Sequence, residues 1–153
     1  MPVEFGDDDV TRLRMALGRV VRGLDRRTNE QDLTRTQLIV LGTIARTKRI
    51  ALAELAEFEG INPTMLSRIV GKLEDLGHVR RVPDEQDRRV AHAEITPSGE
   101  AVWQRHRQVR STLLAKLLSD LPQNEAASLL AAIPALEALA AIARPSPPRE
   151  DEP

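Results

Sequence analysis

The sequence predicts a mainly α-helical fold with a small antiparallel wing of two or three strands near its middle. Three observations predict it. Apolar residues recur every three or four positions along most of the chain, the period of a helix with one buried face. Twice a capping residue stands directly before proline, at Asn62-Pro63 and Thr96-Pro97, the signature of a helix start. Between those two starts, after Gly77, the helical period gives way to short alternating runs around a charged turn. The order over 51–96 is therefore short helix, tight turn, helix, hairpin, which is that of a winged helix-turn-helix flanked by dimerisation helices.

Each element follows in order. Residues 1–9 carry Asp7, Asp8 and Asp9 and little to bury, and are expected to be disordered. From Val10 to about Asn29, Val10, Leu13, Leu17, Val20 and Leu24 step by three or four, with arginines on the other faces. So narrow a seam suits packing on another helix, from this chain or a second one. Thr34 to Thr47 holds Leu38, Leu41, Ile44 and Ala45, a second amphipathic helix. Ala51 to Glu59 follows and stops at Gly60, and the helix opened by Asn62-Pro63 runs to Leu76 and stops at Gly77. Val79, Arg81 and Pro83, then Val90, Ala91, Ala93 and Ile95, read as two strands around the tip Asp84-Glu85-Gln86-Asp87-Arg88-Arg89. Thr96-Pro97 launches a long helix through Val102, Val109, Leu113 and Leu117. The last helix, about Gln123 to Ala143, contains Leu129, Leu130, Ile133, Leu136, Leu139 and Ile142, and Pro134 should kink it. It is too apolar for a monomer's surface, so a partner surface is expected to cover it. Residues 10–33 and 97–143 thus form a dimerisation region, 34–96 the winged lobe, and the proline-rich 144–153 a disordered tail.

Composition narrows the function. The 153 residues are 41% hydrophobic and 29% charged, an ordinary globular balance. With 22 Lys+Arg against 23 Asp+Glu the net charge is -1, so any nucleic-acid footprint has to be local. The absence of cysteine excludes disulfides, thiolate metal sites and thiol-based sensing. Aromatics at 2% argue against stacking on single strands. No uninterrupted apolar run approaches the ~20 residues of a membrane span, and Met1 to Asp9 lacks the layout of a signal peptide. A soluble cytoplasmic protein with no membrane partner is expected.

The helix after Asn62 is the informative one. At 100° per residue, Leu66, Ile69, Val70, Leu73 and Leu76 gather on one side and should face the core. The opposite side carries Thr64, Ser67, Arg68 and Gly71, with Lys72 at its margin. Small groups let a backbone approach base edges in a major groove, Arg68 suits guanine and Lys72 suits a phosphate. The start of the helix at Asn62 and Pro63 also favours phosphate. Arg88 and Arg89 at the hairpin tip suit the minor groove. From Asn62 to His92 six cations (Arg68, Lys72, Arg80, Arg81, Arg88, Arg89) face five acids (Glu74, Asp75, Asp84, Glu85, Asp87), a net of +1. Placement of charge and a second copy would have to supply the affinity.

The stretches LTRTQLIVLGTIA and LAELAEFEGINPTMLSRIVGKLEDLGHVRRVPDEQDRRVAHAEITPSGE resemble the MarR family of bacterial transcriptional regulators over nearly all of 10–143. The most specific part is the wing: Asp84, Asp87, Arg88 and Arg89, then Ile95-Thr96 and Gly99. The resemblance implies an obligate homodimer with a recognition helix in each of two successive major grooves. It implies that Pro63, Thr64, Ser67 and Arg68 read bases, that Arg89 is the wing-tip arginine, and that Asp87, with Asp84, supports the wing. Ala51 departs from the usual Ser or Thr cap, Met65 from a small polar residue, and Leu121 from a capping hydroxyl. The expected function is sequence-specific binding of double-stranded DNA at a near-palindromic operator, as a repressor. The alternative is a winged-helix protein-interaction module without specific DNA contacts, favoured by the weak charge surplus and Met65.

The same resemblance implies release by a small aromatic or lipophilic effector, in a pocket placed among Leu24, Arg27, Leu38 and Leu41. No cofactor or metal is expected, because His78, His92 and His106 match no metal spacing. His78 reads as a helix-end residue, His106 as facing solvent or a partner helix, and Trp103 as a packing anchor. No Ser-His-Asp set, phosphate loop or paired carboxylates point to an enzyme.

Overall fold

A computed structural model of the chain describes residues 4–28 and 33–143. Six helices and three strands follow in the order α1 (Asp7–Arg27), α2 (Arg35–Thr47), β1 (Arg49–Ala51), α3 (Leu52–Glu59), α4 (Pro63–Asp75), β2 (Val79–Pro83), β3 (Ala91–Ile95), α5 (Pro97–Ser119) and α6 (Gln123–Ile142). The sheet is antiparallel in the order β1-β3-β2, so β1 makes the wing three-stranded. Ile50 pairs with Ala93, and Arg81 pairs with Ala93 from the other side. The core lies beneath this sheet: Leu41, Ile44, Leu55, Leu66, Val70 and Leu73 pack with Val79 and Ala93 in one buried cluster. Helices α2, α3 and α4 supply most of it, and so hold the outer face of α4 in place.

Local chemistry accounts for the ends. The Thr34 hydroxyl accepts from the Gln37 N–H at 3.3 Å while the Gln37 side chain accepts from the Thr34 N–H at 2.8 Å, a reciprocal cap. Helix α3 has no such cap: Ala51 makes no side-chain bond and is held by pairing with His92 instead. Helix α1 starts at Asp7, which corrects the expectation of disorder through residue 9. Its first turn is Asp7, Asp8 and Asp9, and Asp9 accepts from the Gly6 N–H at 3.3 Å. Three acids at a helix N-terminus meet the positive end of the helix dipole and stabilise the turn. The expected disorder of 1–3 and 144–153 falls outside the described residues.

One seam ties the wing to α5. The Thr96 hydroxyl donates to the Gly77 carbonyl at 2.6 Å, and the Thr96 N–H donates to the His78 carbonyl at 3.1 Å. A Cβ on Gly99 would lie 2.0 Å from that same His78 carbonyl oxygen, so only glycine fits there. The end of α4 and the start of α5 are thereby in backbone contact.

Helices α1 and α6 are left with uncovered apolar rows. Val10 is 53% exposed, Leu130 69% and Ile142 83%, and no residue of α6 is buried. Helix α6 continues through Pro134. An 18-residue window of this 20-residue helix has a mean hydropathy of 1.6, so the helix is long and apolar enough to cross a membrane by length and composition. That corrects the sequence expectation: Glu125 and Glu137 interrupt the apolar run, yet its average stays strongly apolar.

Candidate nucleic-acid interface

Helix α4 begins where Asn62 Oδ1 accepts from the Met65 N–H at 2.8 Å, with Pro63 in the first turn. It ends in a paired closure: the His78 N–H donates to the Leu73 carbonyl at 2.9 Å and the Gly77 N–H to the Glu74 carbonyl at 2.8 Å, with Gly77 at φ 75. His78 is thus a helix-end residue, as its position beside Gly77 suggests. Between these ends Leu66, Ile69, Val70 and Leu73 are buried, and Leu76 packs partly against the core. Asn62, Pro63, Thr64, Ser67, Arg68 and Lys72 are all exposed, and Gly71 is half-buried. Met65 lies beside them, 49% exposed.

The wing tip is built by two carboxylates. Asp84 Oδ1 accepts from the N–H groups of Gln86 at 2.9 Å and Asp87 at 3.0 Å. Asp87 Oδ1 accepts from the Arg89 N–H at 3.0 Å, and the Val90 N–H donates to the Asp87 carbonyl at 2.9 Å. The Asp87 and Gln86 N–H groups hold the Asp84 carboxyl below its ordinary pKa, because they bond the charged form. Arg88 and Arg89 are exposed on this turn.

The ion pairs occupy two of the six cations of 62–92. Glu94 engages Arg80 in a close ion pair on the wing, and Glu74 lies 3.7 Å from Arg81. Among the described residues, Arg68, Lys72, Arg88 and Arg89 form no ion pair. All four are exposed, Arg68 and Lys72 on α4 and Arg88 and Arg89 on the wing tip.

Sequence reasoning missed Arg81. Its Nη2 donates to the Ser67 carbonyl at 2.7 Å and to Ser67 Oγ at 3.2 Å, while its N–H donates to Glu74 Oε1 at 3.0 Å. The guanidinium lies along the outer face of α4, in a shallow groove with Pro63, Thr64, Arg68 and Gly71. The signal was its spacing of two from Val79: alternate strand residues share a face, and Val79 packs against α4, so Arg81 is turned toward the same helix.

A second feature is a cavity of about 510 Å³ enclosed by α1, α2, α3 and α5. Of the pocket expected at Leu24, Arg27, Leu38 and Leu41, only Leu38 lines it. Val21, Asp25 and Thr28 face the cavity from α1, which turns Leu24 into the interior and leaves Arg27 exposed. On α2 the lining row is Arg35, Leu38, Ile39 and Arg46, so Leu41, fully buried, points to the core instead. Trp103 forms another wall and packs on Gly42, where a Cβ would sit 2.5 Å from the indole. His106 is 5% exposed and stacks on Trp103 at 5.9 Å, inside its own chain, where the sequence leads one to expect solvent or a partner helix. Asp25 crosses the wall to Arg110 Nη1 at 2.5 Å and Arg35 Nε at 3.0 Å, joining α1, α2 and α5.

The MarR family model matches residues 33–91, the stretch that holds α2 through the wing tip. The transcriptional activatory protein BadR of Rhodopseudomonas palustris is 34% identical over 82 residues, 52% of this chain and 47% of that protein, so the match spans about half of BadR. The crystal structure of a putative transcriptional regulator from Pseudomonas aeruginosa superposes with a TM-score of 0.76 at 26% identity, covering 89% of this chain and 98% of that one. A mutant of E. coli MarR complexed with operator DNA does so at 0.62 and 25% identity, covering 87% and 99%. The fold of the lobe, wing and flanking helices is similar to that of these structures, and the stretch 33–91 matches the MarR family of winged-helix transcriptional regulators.

Proposed function

We propose that the chain is a sequence-specific double-stranded DNA-binding regulator, a homodimer that acts as a repressor on a near-palindromic operator. The observation that carries this reading is the outer side of the lobe. Thr64, Ser67 and Arg68 lie open on a rigidly backed helix, and Lys72, Arg88 and Arg89 are exposed and, among the described residues, have no carboxylate partner. Thr64, Ser67 and Arg68 address base edges; Lys72 addresses a phosphate; the arginines of the Asp84–Asp87 turn enter the minor groove. The likeness to E. coli MarR bound to operator DNA supports the same orientation. The bare apolar rows of α1 and α6 support pairing with a second copy, since burying such side chains is worth about 1.5–3 kcal/mol each. Two copies place their recognition helices about one DNA turn apart, roughly 34 Å.

The cavity supports release by a small aromatic or lipophilic effector that carries an acid. Trp103, Phe58 and Ile39 offer apolar contact, and Arg46 and Arg107 offer charge. An occupant releases DNA if it prefers a half-site spacing that does not fit the operator.

The test is footprinting on the chain's own upstream region and neighbouring promoters, with mass measured by light scattering. A protected near-palindrome, a two-copy mass and a promoter that rises when the gene is deleted are expected. Retention of DNA without any sequence preference, together with recovery of a stoichiometric protein partner, would replace this reading with that of a protein-interaction module.

A further inference from the structure

We propose that Arg81, a residue of the wing strand, is a specificity-determining positioning residue that biases Ser67 toward donating its hydroxyl proton to DNA; this rests on the DNA-reading function proposed above. The argument is one of hydrogen-bond capacity. A serine hydroxyl has one proton to give and two lone pairs to receive, whereas a guanidinium only donates. Arg81 Nη2 lies 3.2 Å from Ser67 Oγ and 2.7 Å from the Ser67 carbonyl, so the hydroxyl oxygen is the acceptor in that contact. Its proton is left over. Among the described residues no protein acceptor takes it, and the side chain is exposed in the middle of the reading face.

The arginine is itself fixed. Its N–H is bonded to Glu74 Oε1 at 3.0 Å and its Nε lies 3.7 Å from Glu74 Oε2, so both ends of the residue are anchored to α4. Gly71, between Ser67 and Glu74 on the same stripe, leaves the path open: even a Cβ there would stand 3.6 Å from Nη2. The Ser67 hydroxyl therefore selects an acceptor, such as the O6 or N7 edge of guanine, and disfavours an amino group in the same place. Serine alone accepts either; the arginine fills one of its two lone pairs and tilts the balance toward donation. The wing strand thus takes part in major-groove reading through α4, apart from what its tip does in the minor groove.

The experiment is selection from a randomised duplex library by the full-length wild type, Arg81→Ala, Ser67→Ala and the double variant. Circular dichroism confirms that each is folded, and Ser67→Ala, an exposed helical position, keeps the test available if Arg81→Ala unfolds. The wild type is expected to prefer an acceptor-bearing base at one position per half-site by about three- to tenfold, the worth of one hydrogen bond. Ser67→Ala and Arg81→Ala should each erase that preference at the same position and leave the others intact, and the double variant should lose no more. A merely structural arginine would weaken binding to every sequence alike. If the wild type selects a sequence and Arg81→Ala keeps every preference, or alters a different position from Ser67→Ala, the role assigned to Arg81 is wrong while DNA reading stands. If the wild type selects nothing, both fall together.

Discussion

The salt dependence of DNA binding is the sharpest measure of the interface geometry. In the function proposed above Arg68 goes to a base, which leaves Lys72, Arg88 and Arg89 to displace counterions, three per chain and six in the proposed dimer. Each such contact contributes about −0.9 to the slope of log K against log salt, so the slope for the operator should be about −5. Between about 50 and 200 mM salt the affinity would then fall about 2,000-fold. Arg89→Ala removes two contacts per dimer, should bring the slope to about −3.6, and should shrink that fall to about 150-fold. The assay is a fluorescence-anisotropy titration of a labelled operator across the salt range, wild type and variant side by side. A wild-type slope shallower than about −2, or an unchanged slope in Arg89→Ala, would refute the placement of these cations on the duplex.

Three further outcomes are expected. Gly99→Ala pushes a methyl group against the His78 carbonyl 2.0 Å away and should cost about 1–3 kcal/mol, read as a drop in the denaturant midpoint. Asp25→Asn abolishes the attraction to Arg110 and Arg35; because Arg35 is largely exposed, the loss should be about 1–2 kcal/mol, or about 2–8 °C in Tm by calorimetry. The Asp84 carboxyl is held below its ordinary pKa when folded, so its contribution is present above about pH 4 and lost as pH falls through the folded value. Amide exchange at Gln86 and Asp87 should accelerate over that acid range in the wild type, whereas Asp84→Ala should exchange fast at every pH.

The lobe was legible because each of its elements announces itself locally. Asn62-Pro63 and Thr96-Pro97 mark helix starts that form side-chain caps, and Gly60 and Gly77 take the left-handed backbone at helix ends. The exposed side of α4 followed from periodicity alone, since Leu66, Ile69, Val70 and Leu73 had only one way to face. The cavity was not legible in this way. Leu24, Leu38 and Leu41 are all buried, and which of them borders empty space depends on how α1, α2 and α5 meet, a tertiary matter that no single helix records. The clamp by Arg81 was hidden for a related reason: it joins residues 14 apart through the pairing of a strand with a helix face. Strand β1 was missed as an element because three residues, Arg49–Ala51, are too few to show an alternation.

The backbone weld at Thr96 and Gly99 makes the reader and the long helix behind it one lever. At about 1.5 Å per residue the 23 residues of α5 span about 35 Å. A rotation of about 5° at its far end would therefore sweep the recognition helix through roughly 3 Å, close to the rise of one base pair. In the dimer proposed above, small adjustments where the two copies meet would reach the reading face multiplied by length.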